Sequence, residues 1–437
     1  MKRLWDVSYP IFLSLVAQNV INVTDTAFLG RVGEIELGAS AMGGLFYICC
    51  FTLAFGFSTG AQIVIARRNG EGNYAKIGPV AVQTLFFLLS LVTVLYITIR
   101  LCLPTILPQI ITSSAVRQAT ADYLSPRLFG LFFSFTNVVF RAFYVGITRT
   151  KVLTWNAIFM AGANVVLDYL LIFGNESLHI PALGIRGAAI ASVLAEGGSL
   201  LFFFLYTCRT VDTRRYGLRH IPRPDWPLFR RIFSVSFYTM LQHFVSISTF
   251  FFFFLVIERL GERSLAIANI ARSIYIILFI PVQSLAAAVN TLVSNVLGEG
   301  LRHQVIPLIR KTTFVSIALV TAASALICLF ANTLVSLYTT DRELILQTVP
   351  SVYVISFAMV FNAAAAVVFN GVTGTGNIRI AFLIEFLTLL VYVVYVYLLG
   401  IHLRLPVHIC FTGESVYAIV LLGLSILVLR RRRFADV

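Results

Sequence analysis

Apolar residues along this chain gather into runs of membrane-crossing length, which a window of about 19 residues resolves. Six lie near 8–29, 39–66, 79–101, 125–147, 153–173 and 184–208. After a basic segment the pattern resumes near 230–257, 265–295, 308–330, 350–372, 379–401 and 405–429. About 20 apolar residues in helical conformation cross the hydrocarbon core, so each run predicts a transmembrane helix. The expected fold class is an all-α polytopic membrane protein with twelve spans. The second and eighth runs are long and must tilt or protrude.

Basic residues test that count. With a cytoplasmic N-terminus, the inner segments hold 22 of the 33 lysines and arginines and the outer ones 8, while Arg127, Arg141 and Arg272 lie in or near spans. Cytoplasmic loops carry such an excess. One helix more or fewer would scramble the alternation. Both termini are therefore expected in the cytoplasm, and the protein in the plasma membrane, which in a bacterium is the inner one. Met1-Lys2-Arg3 before an apolar run looks like a signal peptide, but the run continues to Asp25 without a small-residue cleavage pattern. It is expected to be the first span.

The chain also repeats itself at an offset of 228. Arg31-Val32-Gly33-Glu34 returns as Arg259-Leu260-Gly261-Glu262, Gly70-Glu71-Gly72 as Gly298-Glu299-Gly300, Pro79 as Pro307 and Gly146 as Gly374. That offset covers six spans, so two halves of equal topology are expected about an axis along the membrane normal. The predicted division is an N-lobe over 1–208, a cytoplasmic linker over 209–229 and a C-lobe with a basic tail over 230–437. The linker carries Arg219, Arg223, Pro222, Pro224 and Pro227, and the tail Arg430 to Arg433. Each Gly-Glu-Gly ends a span, where a residue without Cβ takes the left-handed conformation of a helix cap. Two such lobes leave a cleft, and rocking one against the other gives alternating access.

Composition narrows the partners. Residues are 59% hydrophobic and only 12% charged, against about 25% charged in soluble domains. The formal charge of +14 is scattered among short loops, with no continuous polar fold to present it to nucleic acid. Membrane lipid and a small organic substrate are the expected partners, and no obligate protein partner is inferred. The six cysteines show no metal-ligand spacing. HExxH is absent, the one GxSxG match (Gly56-Phe57-Ser58-Thr59-Gly60) lies inside an apolar run rather than on a strand-to-helix turn, and two-fold repetition serves alternating access better than one catalytic centre, so an enzyme is not expected.

Against this apolar background the buried acids stand out. A carboxylate at the bilayer centre costs roughly 2.5–3.5 kcal/mol on insertion scales. Asp25 shares a helical face with Gln18 and Asn22, and Asp168 lies one turn from Asn164. Two acids with amide company suggest a site for a proton or a small cation. In the seventh span Gln242, Ser246 and Thr249 repeat the first-span spacing with the acid replaced, so any coupling site is expected in the N-terminal half. Glu196 is read either as a third acid near this site or as a helix-end acid facing water. Glu385 in the eleventh span, and the polar residues Asn137 and Arg141, Gln283, Asn290 and Ser294, are secondary or cleft candidates. His243 is read as a helix-packing contact. The 38 phenylalanines and 17 tyrosines offer stacking surface for flat cations but no legible specificity.

Taken in order, several motifs resemble those of the MATE (multidrug and toxic compound extrusion) family over essentially the whole chain. They are Gln18…Asp25-Thr26…Gly30, the two Gly-Glu-Gly endings, Gly146-Ile147-Thr148-Arg149-Thr150, Gly374-Thr375-Gly376-Asn377, and Gly184…Gly187-Ala188-Ala189-Ile190-Ala191-Ser192. The resemblance implies a secondary exporter of cationic or amphiphilic organic compounds, driven by antiport of Na+ or H+ without a cofactor. It places the cation site on Asp25, Asn164, Asp168 and Ser192, with serine where the family usually has threonine. Some members add a seventh-span glutamate and a tenth-span aspartate, which this chain lacks. Oxygen ligands suit hard sodium, and the same desolvated pair would also hold a proton. The alternative within this architecture is a flippase for lipid-linked oligosaccharide, for which a strongly basic cavity is expected.

Overall fold

The computed structural model describes residues 2–111, 113–218 and 225–431. Arg219, Pro222, Arg223 and Pro224 of the linker, and Arg432 and Arg433 of the tail, lie outside them. Twelve helices among the described residues are long and apolar enough to cross a membrane: α1 Lys2–Val32, α2 Glu34–Gly70, α3 Tyr74–Ile110, α4 Ser114–Gly146, α5 Lys151–Phe173, α6 Gly184–Thr210, α7 Trp226–Glu258, α8 Glu262–Gly298, α9 Arg302–Leu329, α10 Arg342–Gly374, α11 Ile378–His402 and α12 Val407–Arg430. Every expected span falls on its own helix. Most helices overrun their apolar run, furthest in α4, which starts at Ser114 where the apolar run begins near 125. Hydropathy marks the lipid-facing length, whereas the helix stops only where a cap satisfies its last backbone groups.

The caps obey the repeat. α2 and α8 each span 37 residues and α4 and α10 each span 33, with both pairs displaced by the same 228 positions. At the ends of α2 and α8 the second glycine of each Gly-Glu-Gly, Gly72 and Gly300, takes the left-handed conformation (φ +71° and +77°), where a Cβ would be strained. The starts of α4 and α10 match too. Ser113 accepts from Val116 N–H at 3.4 Å, while 228 positions later Asp341 accepts from Glu343 N–H at 2.9 Å and Leu344 N–H at 3.3 Å. Both side chains are strong N-caps.

The chain divides into two compact units, Leu13–Met240 and Met1–Phe12 with Leu241–Val437, so the division runs through α1 and α7. In the first unit α7 reaches α2 through its glycines. A Cβ on Gly60 would lie 2.4 Å from Ser236 Cα, and one on Gly56 2.6 Å from Met240 Cα. Small residues bring helix backbones together where lipid gives no hydrophobic drive for association. In the second unit Gly374 of α10 packs on the α8 backbone, where its Cβ would meet the Asn290 carbonyl at 2.4 Å, and Ser294 donates to the Gly374 carbonyl at 2.9 Å. Ser294 thus joins helices. The apolar core of this unit gathers Ile257, Ala268, Val282, Ile355, Met359 and Val396.

Candidate functional site

A cavity of about 290 Å³ opens inside the first unit, lined from α1, α2, α4, α5 and α6. One face of α1 supplies Gln18, Asn22 and Asp25, as their helical spacing requires. Asn164 of α5 and Ser192 of α6 line the same cavity. Asp168, one turn beyond Asn164, is fully buried, and its carboxyl lies within hydrogen-bonding range of that of Asp25. The four residues singled out by the resemblance are therefore on one cavity wall or directly behind it.

Their hydrogen-bonding state is unusual. Asn164 is 1% exposed and Asp168 0%, yet neither amide atom of Asn164 and neither carboxyl oxygen of Asp168 meets a donor or acceptor with full hydrogen-bond geometry; nor does the buried Oδ1 of Asp25. Buried polar atoms are nearly always satisfied, and leaving one bare costs about 1–3 kcal/mol. Two facing carboxyls offer acceptors only, so a shared proton or a bound cation is what completes them. Asn164 and Ser192 on the same cavity add an amide and a hydroxyl oxygen, donors that suit a hard cation.

Glu196 is not a helix-end acid facing water. It lies in the middle of α6, 5% exposed, and its Oε1 accepts from Arg127 Nη1 at 2.7 Å and from the Tyr47 hydroxyl at 2.9 Å. The Arg127 guanidinium also stacks over the Tyr47 ring, 3.8 Å from its centroid. Tyr47 and Ser134 share a hydrogen bond of 2.5 Å. Since the tyrosine proton goes to Glu196, Ser134 donates to Tyr47. Asn137 donates to the Glu196 carbonyl at 3.0 Å. The charge of Arg127 also acts on Asp25 and Asp168 from a distance, but its ion pair is with Glu196.

Sequence reasoning missed Tyr47, Ser134, Asn156 and Ser199 and left Arg127 at the edge of a span. Arg127 carried a signal, a cation 14 residues before Arg141 on one helix. Asn156, which donates to the Ser199 hydroxyl at 2.8 Å, carried one as well, an amide inside an apolar run; the hydroxyl residues carried none, because a tyrosine or serine in an apolar run ordinarily just packs. Arg141 and Asn137 do line the cavity. Gln242, Gln283, Asn290 and Glu385 do not. Gln283 is exposed on α8, and Asn290 is buried with both amide atoms unpartnered. Gln242 is buried in α7 with its Oε1 unpartnered. Glu385 is buried in the second unit and accepts from Ser246 at 2.8 Å and Tyr417 at 3.0 Å.

The family model MatE matches residues 10–170 and 239–398. The chain belongs to the MatE family. It is a multi-pass membrane transporter of that family and not an enzyme. A relative in Thermotoga maritima, described as a probable multidrug resistance protein NorM, is 26% identical over 395 residues, covering 89% of this chain and 83% of the relative. A like-named protein of Pasteurella multocida is 23% identical over 79% of this chain and 74% of its own length. Among solved structures, a MATE protein in complex with MaL6 superposes with a TM-score of 0.91 at 20% identity, over 99% of this chain and 96% of the other. A MOP superfamily transporter from Pyrococcus furiosus gives 0.89 at 21% identity over the same shares. The fold is thus shared with these solved structures.

Proposed function

We propose that this MatE-family protein exports cationic or amphiphilic organic compounds by antiport against Na+ or H+, with Asp25, Asn164, Asp168 and Ser192 holding the coupling ion. The observation that carries the reading is the Asp25–Asp168 pair: two facing carboxyls, Asp25 lining the cavity and Asp168 buried behind it, with Asn164 alongside. Like charges that close do not both persist without a cation or a proton between them. Entry of the ion completes the pair, and loss of the ion leaves acceptors facing acceptors. A site that is complete only when loaded biases a two-state protein according to its occupancy. Asp25 is the moving member, because α1 carries Pro10 in its interior, where a missing backbone hydrogen bond permits a bend.

Alternating access then exchanges ion for substrate across the membrane. The names of the relatives, multidrug resistance proteins, support export as the direction. The excess of basic residues in alternate loops supports cytoplasmic termini in the plasma membrane. A flippase for lipid-linked oligosaccharide is disfavoured, because the cavity gathers three acids against two arginines.

The test is efflux of a fluorescent organic cation from proteoliposomes under imposed Na+ or H+ gradients, wild type against Asp25→Asn. Gradient-driven efflux lost in the variant supports the reading, and the effective gradient names the ion. Undiminished efflux by Asp25→Asn under both gradients would remove the pair as the coupling site.

A further inference from the structure

Release of a coupling ion leaves Asp25 and Asp168 facing each other without a cation, and a second positive charge lies close by. The bases lining the cavity are Arg127 and Arg141. Arg141 lies 4.9 Å over the Phe55 ring, and neither aspartate is among the groups that act on it. Arg127 acts on both aspartates. Tyr123, one turn earlier on α4, lies within hydrogen-bonding range of Arg127 and also feels the charge of Asp25.

The hold of Glu196 on Arg127 is only half made. Arginine and carboxylate frequently join through two parallel hydrogen bonds. Here Nη1 meets Oε1 at 2.7 Å, while Arg127 Nε and Glu196 Oε2 are buried without a hydrogen-bond partner. Buried polar atoms are nearly always satisfied, so the guanidinium fork is used incompletely in this position. Space for movement lies beside it. Residue 130 on α4 is a glycine, and a Cβ there would crowd Glu196 Oε2 at 2.9 Å and Arg127 Nη1 at 3.4 Å. The Tyr47 ring, 3.8 Å below the guanidinium, is a face across which a cation turns without losing its contact.

We propose that Arg127 is the resident counter-ion of the aspartate pair: it rests on Glu196 while the coupling ion is bound, and moves to Asp25 and Asp168 when that ion leaves. Buried carboxylates without a cation are costly, and a tethered guanidinium takes the place of the departing ion. Glu196 keeps the Tyr47 hydroxyl as its donor meanwhile. Ion and guanidinium exclude each other on the aspartates, so the charge of Glu196 favours ion binding by drawing the competitor away. Arg127 is thus a positioning residue that sets how readily the ion is released. This inference rests on the antiport reading and adds the group that displaces the ion.

The test uses the double variant Arg127→Met/Glu196→Leu, which removes both members of an ion pair and so leaves the net fixed charge of the cavity unchanged. A guanidinium that never leaves Glu196 predicts wild-type ion affinity in that variant. A competitor predicts binding about tenfold tighter, the scale of one charge-assisted hydrogen bond. Glu196→Leu alone leaves Arg127 to the aspartates and should weaken binding about tenfold by the same measure. Radiolabelled Na+ bound by the purified full chain gives the affinity. The concentration of the effective ion that half-drives efflux of a fluorescent organic cation from proteoliposomes gives it again in turnover. The double variant is expected to bind the ion more tightly and to export more slowly, whereas a merely structural role for the pair would loosen binding in both variants. Wild-type or weaker affinity in the double variant overturns the proposal. The two readouts separate it from the exporter reading. Tightened Na+ binding in the double variant, with no gradient-driven efflux by wild type, upholds the exchange and sinks the antiport. Gradient-driven efflux that needs Asp25, with the double variant half-driven at the wild-type concentration, does the reverse.

Discussion

Tyr47 in α2 and Tyr275 in α8 stand one repeat interval apart, and each hydroxyl meets the same position of the helix packed beside it, Ser134 in α4 and Asn362 in α10. The repeat thus preserves a buried polar contact even where the partner has changed type. Among the described residues the first copy alone hydrogen-bonds an acid, because the Tyr47 hydroxyl also donates to Glu196.

That difference predicts unequal costs. Tyr47→Phe removes a donor to a charged group and a partner of Ser134, a loss of about 1–3 kcal/mol; Tyr275→Phe removes one longer neutral bond, worth about 0.5–1.5 kcal/mol. Thermal unfolding of both variants in detergent checks the order. Equal or reversed losses would mean that the Tyr47–Glu196 bond contributes little.

The Arg127–Glu196 pair predicts strong coupling. Replacing Arg127 with methionine leaves a buried carboxylate without its counter-ion, a loss of about 3–5 kcal/mol. Adding Glu196→Leu to that variant removes the orphan charge and restores much of the stability. A double-mutant cycle on unfolding midpoints reads this directly. Simple additivity of the two changes would show that the pair is not a unit.

Glycine placement gives a paired prediction. A Cβ on Gly374 would sit 2.4 Å from the Asn290 carbonyl oxygen, a backbone atom that cannot swing aside, whereas one on Gly423 in α12 meets nothing within 4 Å. Gly374→Ala should cost roughly 1–3 kcal/mol by overpacking. Gly423→Ala should be neutral or slightly stabilising, since alanine is the better helix former. Melting curves of the two variants decide.

Much of this was legible in the sequence, for identifiable reasons. Hydropathy and loop charge depend only on residue type, so the number of helices follows directly. The second glycine of each Gly-Glu-Gly was readable because a left-handed cap restricts the residue there. Asp25, Asn164 and Asp168 were readable because acids and amides are costly in lipid and stand out. What stayed hidden was pairing across helices. Nothing along α6 says that Glu196 reaches Arg127 on α4, and helix length near a membrane surface depends on caps such as Ser113 rather than on hydropathy. The placement of Arg141 against Phe55 is likewise a property of packing.

Glu385 offers a contrast with the first-unit acids. One of its oxygens already accepts two hydroxyls, from Ser246 and Tyr417. Glutamine preserves that acceptor, so Glu385→Gln should stay within about 1 kcal/mol of wild type, while Glu385→Ala strands both hydroxyls at about 1–3 kcal/mol. Transport by Glu385→Gln is expected to remain near wild type. Its loss in a stably folded variant would give the second unit a part in coupling.

The aspartate pair predicts non-additivity in transport. If one ion or proton is held by both carboxyls, either substitution to asparagine destroys the same site. Asp25→Asn and Asp168→Asn should each lower gradient-driven efflux by about 10–100-fold, and the double variant should be little worse than the poorer single one, as for residues that act as a unit. Gradient-independent exchange of substrate across the same liposomes distinguishes lost coupling from lost folding, because a folded variant that can still rock should exchange without a driving ion. Independent, multiplying losses in the double variant would mean that Asp25 and Asp168 hold separate ions, and that their closeness serves helix packing rather than one shared site.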